Sequence, residues 1–192
     1  MKLTAKLAMP LVAAVVSVGA SAGSLDLTGG YGKTSTYSTS SDGVGVDITA
    51  TRYGRSASIT KNRRGLGVNG GVRHFQSIGR ETMTFSFTDA VSLKNIAFDK
   101  RTWHDWTGPD KVSYTDSNGL SLLLSGDATD GLFNIGANGI EWFTIASAGY
   151  WTSTFVSSIE YGQYAVPVPA SAWLLGSALI GLGGLGRAKR RQ

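Results

Sequence analysis

The sequence of 192 residues contains no cysteine, only two histidines and only four prolines. Without cysteine the chain cannot form disulfides, cysteine-ligated zinc sites, iron–sulfur clusters or a thiol nucleophile. Two histidines leave little material for histidine metal sites or histidine base chemistry. Charged residues make up 16% of the chain, whereas about 25% is usual for soluble domains. This composition is unusual for a cytosolic enzyme.

The net charge of +5 is confined to the two ends of the chain. Six of the 18 Lys and Arg residues lie within residues 1–22 or 187–191, which leaves 12 to balance the 13 acidic residues between Asp26 and Glu160. A nucleic-acid-binding domain would carry its basic excess on the folded part. We therefore expect no nucleic-acid partner.

The N-terminal segment has the order of a secretory signal peptide. Lys2 and Lys6 precede an apolar stretch from Leu7 to Val18, and Ala20 and Ala22 provide small side chains at the cleavage positions. This order is typical of a cleaved signal, whose apolar part is shorter than a membrane span. Residues 1–22 are predicted to be removed by signal peptidase after Ala22.

The C-terminal segment has the pattern of a membrane anchor. Residues 170–186 carry no charge, and as a helix they would be about 25 Å long, close to the thickness of a hydrocarbon core. Trp173 lies near one end as an interfacial aromatic, and the basic tail 187–192 (Arg187, Lys189, Arg190 and Arg191) lies at the other. Basic residues remain on the cytoplasmic side. We expect a transmembrane helix with the domain facing outward.

A motif with two prolines, which we call the Pro motif, precedes this helix and distinguishes the segment from an ordinary membrane anchor. Val166, Pro167, Val168, Pro169 and Ala170 precede an apolar, glycine-rich helix and a basic tail. This order resembles the PEP-CTERM class of bacterial sorting signals, in its VPLPA variant, with Val168 in place of leucine. The resemblance implies export by a Gram-negative bacterium that makes exopolysaccharide, and processing at the Pro motif by an exosortase-type membrane protease. A permanent single-span anchor is the alternative.

Residues 23–163 are predicted to form one all-β domain. Short runs alternate apolar and polar residues with period two, which indicates strands. The clearest runs are Val44–Ile48, Met83–Thr88, Val91–Phe98, Leu120–Leu124, Trp142–Ala146 and Phe155–Tyr161. Turn signals lie at Ser41–Gly43, Gly70–Gly71, Ser117–Gly119, Asp130–Gly131 and Asn138–Gly139. Many short strands at this spacing favour an antiparallel β-sandwich or jelly roll; a β-solenoid is the alternative.

Two stretches of this domain have features of their own. Residues 24–43 are rich in Ser, Thr and Gly, and this composition fits a flexible arm or a polar edge strand. Gly65–Val68 followed by Glu81–Phe87 and Val91–Leu93 resembles the β-sandwich ectodomains often carried by such tails. That resemblance supports the β-sandwich fold and transfers no active-site residues.

The densest polar and aromatic cluster runs from Asp99 to Asp110. Trp103 and Trp106 offer apolar faces to sugar rings, while Asp105 and Asp110 can accept hydrogen bonds from hydroxyls. This pattern makes the loop a candidate glycan site. Burial of both indoles at the end of the sandwich is the structural alternative.

Metal binding and catalysis have weaker sequence support. Asp99, Asp105 and Asp110, or the segment Asp127–Gly131, could supply oxygen ligands to calcium, although neither matches a compact calcium loop. We therefore predict no cofactor, with calcium as the alternative. The glutamates that a glycosidase pair would need are Glu81, Glu141 and Glu160. The segment from Arg52 to Arg73 contains six basic residues and could bind an anionic polysaccharide.

The sequence therefore predicts a non-enzymatic protein with three parts. Residues 1–22 form the signal, 23–163 the domain and 164–192 the sorting segment. The precursor is expected in the inner membrane with its domain in the periplasm, and the processed protein at the cell surface or in the extracellular matrix. A carbohydrate-binding module that holds exopolysaccharide through the Trp103 and Trp106 loop is the alternative.

Overall fold

The computed structural model describes residues 22–69, 81–99, 104–105, 108–109, 111–125, 131–148, 154–164, 174 and 176–178. About 77% of these residues lie in strands and 4% in helix, so the predicted all-β class is confirmed. The strands are β1 (Ala22–Asp26), β2 (Gly32–Thr34), β3 (Thr36–Ser41), β4 (Val44–Arg52), β5 (Arg55–Asn62), β6 (Gly65–Asn69), β7 (Glu81–Phe98), β8 (His104–Asp105), β9 (Gly108–Pro109), β10 (Lys111–Asp116), β11 (Ser121–Ser125), β12 (Leu132–Ser147) and β13 (Val156–Gln163).

Alternation of side chains creates the buried face of each long strand. In β4, Val46 and Ile48 point into the core and are almost completely buried, while Asp47 between them and Thr49 after Ile48 are exposed. Successive side chains of a strand point to opposite faces, so the polar residues necessarily face outward. The predicted alternation therefore identified the buried face of this strand.

The sheet closes on itself, which the predicted two-sheet sandwich did not anticipate. The first half of β7 pairs with β4, the second half pairs with β13, and β12 pairs with both halves. From β4 the pairing continues through β5 and β6 and returns to β13 at Leu66 and Val156. Strands β7, β4, β5, β6 and β13 thus form a closed ring, and β12, β10 and β11 extend the sheet beyond it.

β-Bulges lie between the two longest strands, β7 and β12, where β7 changes its other partner from β4 to β13. The register of β12 against β7 shifts between Asn134 and Trp142, and such shifts bend a strand and increase its twist. Gly136 and Gly139 have φ values of 67° and 66° in this region. The predicted turn at Asn138–Gly139 is therefore wrong, because the positive φ of this glycine serves a bulge inside β12.

An aromatic cluster links the strands across the core. Phe143 of β12 stacks on Phe85 of β7 with ring centroids 4.6 Å apart, and on Tyr114 of β10 at 5.7 Å. Phe87 lies 5.6 Å from Tyr161 of β13. Aromatic pairs at these separations stabilise a core beyond the area they bury. The cluster therefore ties the ring to the strands that extend it.

The serine- and threonine-rich segment 24–43 contains β2, β3 and part of β1. Strand β3 pairs with β4 from Thr36 to Ser41, and β2 pairs with β5. Leu25 and Leu27 are buried in the core. The Tyr161 hydroxyl donates to the carbonyl of Ser41 at 2.9 Å, which holds the end of β3 against β13.

Among the residues described, no helix has the length and hydrophobicity needed to cross a membrane. Of the transmembrane helix predicted for residues 170–186, only 174 and 176–178 fall within that set.

Candidate functional site

The two ends of the folded domain lie side by side. Strand β1 pairs with β13 in antiparallel register, from Ala22 opposite Gly162 to Asp26 opposite Ser158. The chain therefore enters the domain and leaves it at the same edge of the sheet. Ala22 is exposed at this edge.

Most of the residues singled out in the predicted signal peptide and sorting segment lie outside the described part of the chain. They are Ala20 of the signal, Val166, Pro167, Val168, Pro169 and Ala170 of the Pro motif, and Trp173, Arg187, Lys189, Arg190 and Arg191 of the anchor and tail. Strand β13 ends at Gln163, only three residues before Val166. The domain thus stops immediately before the Pro motif.

The predicted glycan loop contains a short hairpin. The backbone of His104 and Asp105 pairs with that of Gly108 and Pro109. The side chains of Trp103, Asp105, Trp106 and Asp110 lie outside the described part, so this site stays a prediction. Within the described residues, no group of three or more His, Asp or Glu side chains could hold a metal. Most of the candidate segment Asp127–Gly131 also falls outside.

Two of the three candidate catalytic glutamates have structural partners. Glu81 is 1% exposed, and its Oε1 lies 3.6 Å from Arg52 Nε across the β4–β7 pair. Glu160 Oε2 accepts a hydrogen bond of 2.7 Å from Asn95 Nδ2 across the β7–β13 pair. Glu141 is exposed on β12. The three glutamates thus lie on three different strands, two of them in contacts that join neighbouring strands.

Three bases of the segment Arg52–Arg73 also contact partners. Arg52 faces Glu81, and Arg64 Nε lies 3.6 Å from Asp99 Oδ2. Lys61 Nζ donates to the Tyr37 hydroxyl at 2.6 Å and lies 4.6 Å from the centre of that ring. Carboxylates thus oppose part of the positive charge of this segment, which weakens the case for an anionic polymer there. Arg73 lies outside the described residues.

A buried carboxylate organises the turn between β10 and β11. Asp116 is 1% exposed and accepts hydrogen bonds from the Tyr114 hydroxyl at 3.0 Å and from the backbone N–H groups of Asn118 and Leu120 at 3.0 and 3.1 Å. Burial, followed by the contact with Asp116, raises the pKa of Tyr114. Every oxygen of Asp116 has a partner, so this cluster stabilises the turn.

The outer face of the sheet carries a row of hydroxyl side chains that crosses six strands. Each member lies directly opposite the next in the strand register. In the order β3, β4, β7, β12, β10 and β11, the members are Thr36, Thr49, Thr84, Thr144, Thr115 and Ser121. Each residue occupies the outward position of its own strand, but only the register reveals that they are aligned.

Two further rows flank this one and complete what we call the hydroxyl face. One consists of Thr51, Thr82, Ala146, Ser113 and Leu123; the other consists of Ser38, Asp47, Ser86 and Trp142. Trp142 is 39% exposed and Leu123 is 63% exposed. Of the residues in the three rows, Asp47 alone carries a formal charge. The hydroxyl face is therefore polar and almost uncharged.

No protein-family model, no curated protein and no solved structure matches this chain. Its function must therefore be argued from its own residues.

Proposed function

We propose that the chain is an exported, non-enzymatic protein of the cell surface or extracellular matrix. In this account its C-terminal segment anchors it briefly in the inner membrane, and an exosortase-type protease then releases it. The order of basic, apolar and small residues at the N-terminus supports export. The Pro motif, apolar stretch and basic tail support the anchor and its removal.

The observation that carries the proposal is the pairing of Ala22 with Gly162 at one edge of the domain. The predicted signal peptide and the predicted sorting segment are both joined to the domain at that edge. Val166 lies three positions after Gln163, the end of β13, and extended chain spans at most about 3.3–3.6 Å per residue, or roughly 10 Å in all. The anchored domain would therefore stand next to the membrane, with the Pro motif between the two.

The same pairing sets an order of events. A signal peptidase that cleaves after Ala22 needs this segment as extended, unpaired chain. Ala22 is paired in the folded domain, and its partner strand β13 is the last to be synthesised. In the proposed account, signal removal therefore precedes the docking of β1 against β13.

Carbohydrate binding through the Trp103 and Trp106 loop is the second candidate. The β8–β9 pairing supports it, because the backbone of His104 and Asp105 is held against that of Gly108 and Pro109. A confined loop can present aromatic platforms at low entropic cost.

Replacement of Ala22 by arginine should block signal removal. The peptidase pocket accepts small side chains, whereas the exposed position of Ala22 on β1 lets the folded domain tolerate arginine. We expect the variant to stay in the membrane fraction with its N-terminus at Met1, while the wild-type protein begins at Gly23. Intact-mass measurement of both proteins distinguishes these species.

The matched control is Ser24→Arg, which adds the same side chain at another exposed position of β1. It should be processed like the wild type. Wild-type protein that still begins at Met1, or an Ala22→Arg variant cleaved as fast as the control, would contradict the proposed export.

A further inference from the structure

We propose that the hydroxyl face binds a neutral polysaccharide chain that lies across the strands. This site is built from residues other than those of the Trp103 and Trp106 loop, and the proposal is independent of the proposed export and sorting. Its centre is the row from Thr36 to Ser121, and Trp142 lies beside that row.

The hydroxyls of the central row are regularly placed and stiff. Neighbouring strands lie about 4.8 Å apart, so the row presents one hydroxyl at each such step over six strands. Threonine is β-branched and has few side-chain rotamers available. Groups that are already ordered lose little entropy when a ligand binds.

Most of these hydroxyls are available to a ligand. Within the described part of the chain, Thr36, Thr49, Thr84 and Thr144 form no side-chain hydrogen bond, while Thr115 Oγ1 lies 3.5 Å from Ser121 Oγ. Each hydroxyl can donate one hydrogen bond and accept two. Sugar hydroxyls have the same dual capacity, so the row matches a polyhydroxyl chain.

The charge of the face selects a neutral ligand. Asp47 is the one charged member of the three rows and is exposed, so these rows would repel an anionic polymer weakly, and the cation beside them is Lys111, in the row next to Ser113. Threonine is a common residue of strands, but three neighbouring rows with a single charge are an unusually uncharged surface for a soluble domain. Threonine and serine in these rows favour an uncharged ligand.

The exposed aromatic ring adds a contact suited to a sugar. Trp142 lies opposite Ser86, in the row next to Thr84 and Thr144. Its indole offers an apolar face with a polar N–H at the edge. A sugar ring stacked on this indole would place its hydroxyls near the central row.

The twist of the sheet favours a flexible chain over a flat crystalline surface. Adjacent strands are rotated by about 20–25°, so across six strands the row turns by roughly 100° in total. A flat surface would touch only a few of its members. A single polysaccharide chain can follow the turn and contact the whole row.

The test uses the full chain purified in detergent, with hydroxyethyl cellulose and dextran as neutral probes and alginate as the anionic probe. Thr84→Val with Thr144→Val removes two central hydroxyls and keeps the β-branched shape, and Trp142→Ala removes the platform. We expect the wild type to bind at least one neutral probe, and each variant to bind it about tenfold more weakly. Thermal melting checks that each variant remains folded.

The controls are Ser24→Ala, an exposed hydroxyl on β1, and Tyr31→Ala, an aromatic ring that is 81% exposed outside the face. Both should bind as the wild type does, and so should Trp103→Ala with Trp106→Ala. Wild-type protein that binds neither neutral probe, or binds only alginate, would overturn the proposal. So would folded face variants with unchanged binding.

Discussion

Replacement of Gly65 by alanine should destabilise the domain by about 3 kcal/mol or more. Gly65 begins β6 with φ at 132°, a conformation that is essentially restricted to glycine. A Cβ at this position would meet the backbone carbonyl oxygen of Val156, and it would lie 2.7 Å from the carbonyl carbon. The next residue, Leu66, pairs with Val156 and closes the ring. The substitution therefore strains the chain where the sheet closes.

Gly54→Ala is the matched control, because it makes the same change at another positive φ without the clash. Gly54 has φ at 71°, and a Cβ there would meet nothing within 4 Å. It should cost about 1–2 kcal/mol, the usual penalty for a left-handed residue with a side chain. Urea unfolding of both variants provides the comparison. If the two substitutions cost the same, close approach of β6 to β13 does not hold the ring closed.

Truncation of Phe143 to alanine should cost about 3–5 kcal/mol, the usual loss for a buried phenylalanine. Phe143 is fully buried and packs against Phe85, Phe87 and Tyr114. Its removal would leave a cavity at the junction of β7, β10 and β12. Denaturant unfolding followed by tryptophan fluorescence measures the loss.

Trp142→Ala tests the same strand from its other side. Trp142 adjoins Phe143 in sequence but faces outward and is 39% exposed. Its truncation should change stability by less than about 1 kcal/mol, because surface substitutions usually have small effects. A larger loss for Trp142 than for Phe143 would mean that the inward and outward faces of β12 are assigned the wrong way round.

The strands of the core could be predicted because alternation is a local property. Val46 and Ile48 reveal their inward face within five residues of sequence. The full length of β7 could not be predicted in this way, because the runs at Met83–Thr88 and Val91–Phe98 form one continuous strand of 18 residues. An irregularity in the alternation looks like a boundary in sequence, whereas in the structure the neighbouring strands bridge it.

Closure of the sheet and the hydroxyl face could not be predicted, because both depend on long-range register. Leu66 and Val156 are 90 positions apart, and nothing local to either marks them as partners. Thr84 and Thr144 are likewise separated by 60 positions. A shift of one residue in any pairing would turn the hydroxyls of that strand inward. The composition shows the threonines, but only the fold aligns them.

The mass of the C-terminus of protein recovered from the cell surface tests the central claim most directly. The account predicts that, in a host with the sorting protease, this protein ends within Val166–Ala170 and lacks the residues from Trp173 onward. Pro167→Ala with Pro169→Ala should instead accumulate the precursor in the inner membrane, because helix could then extend through the Pro motif. Surface protein that still carries Trp173 through Gln192 would contradict the account and identify the segment as a permanent anchor.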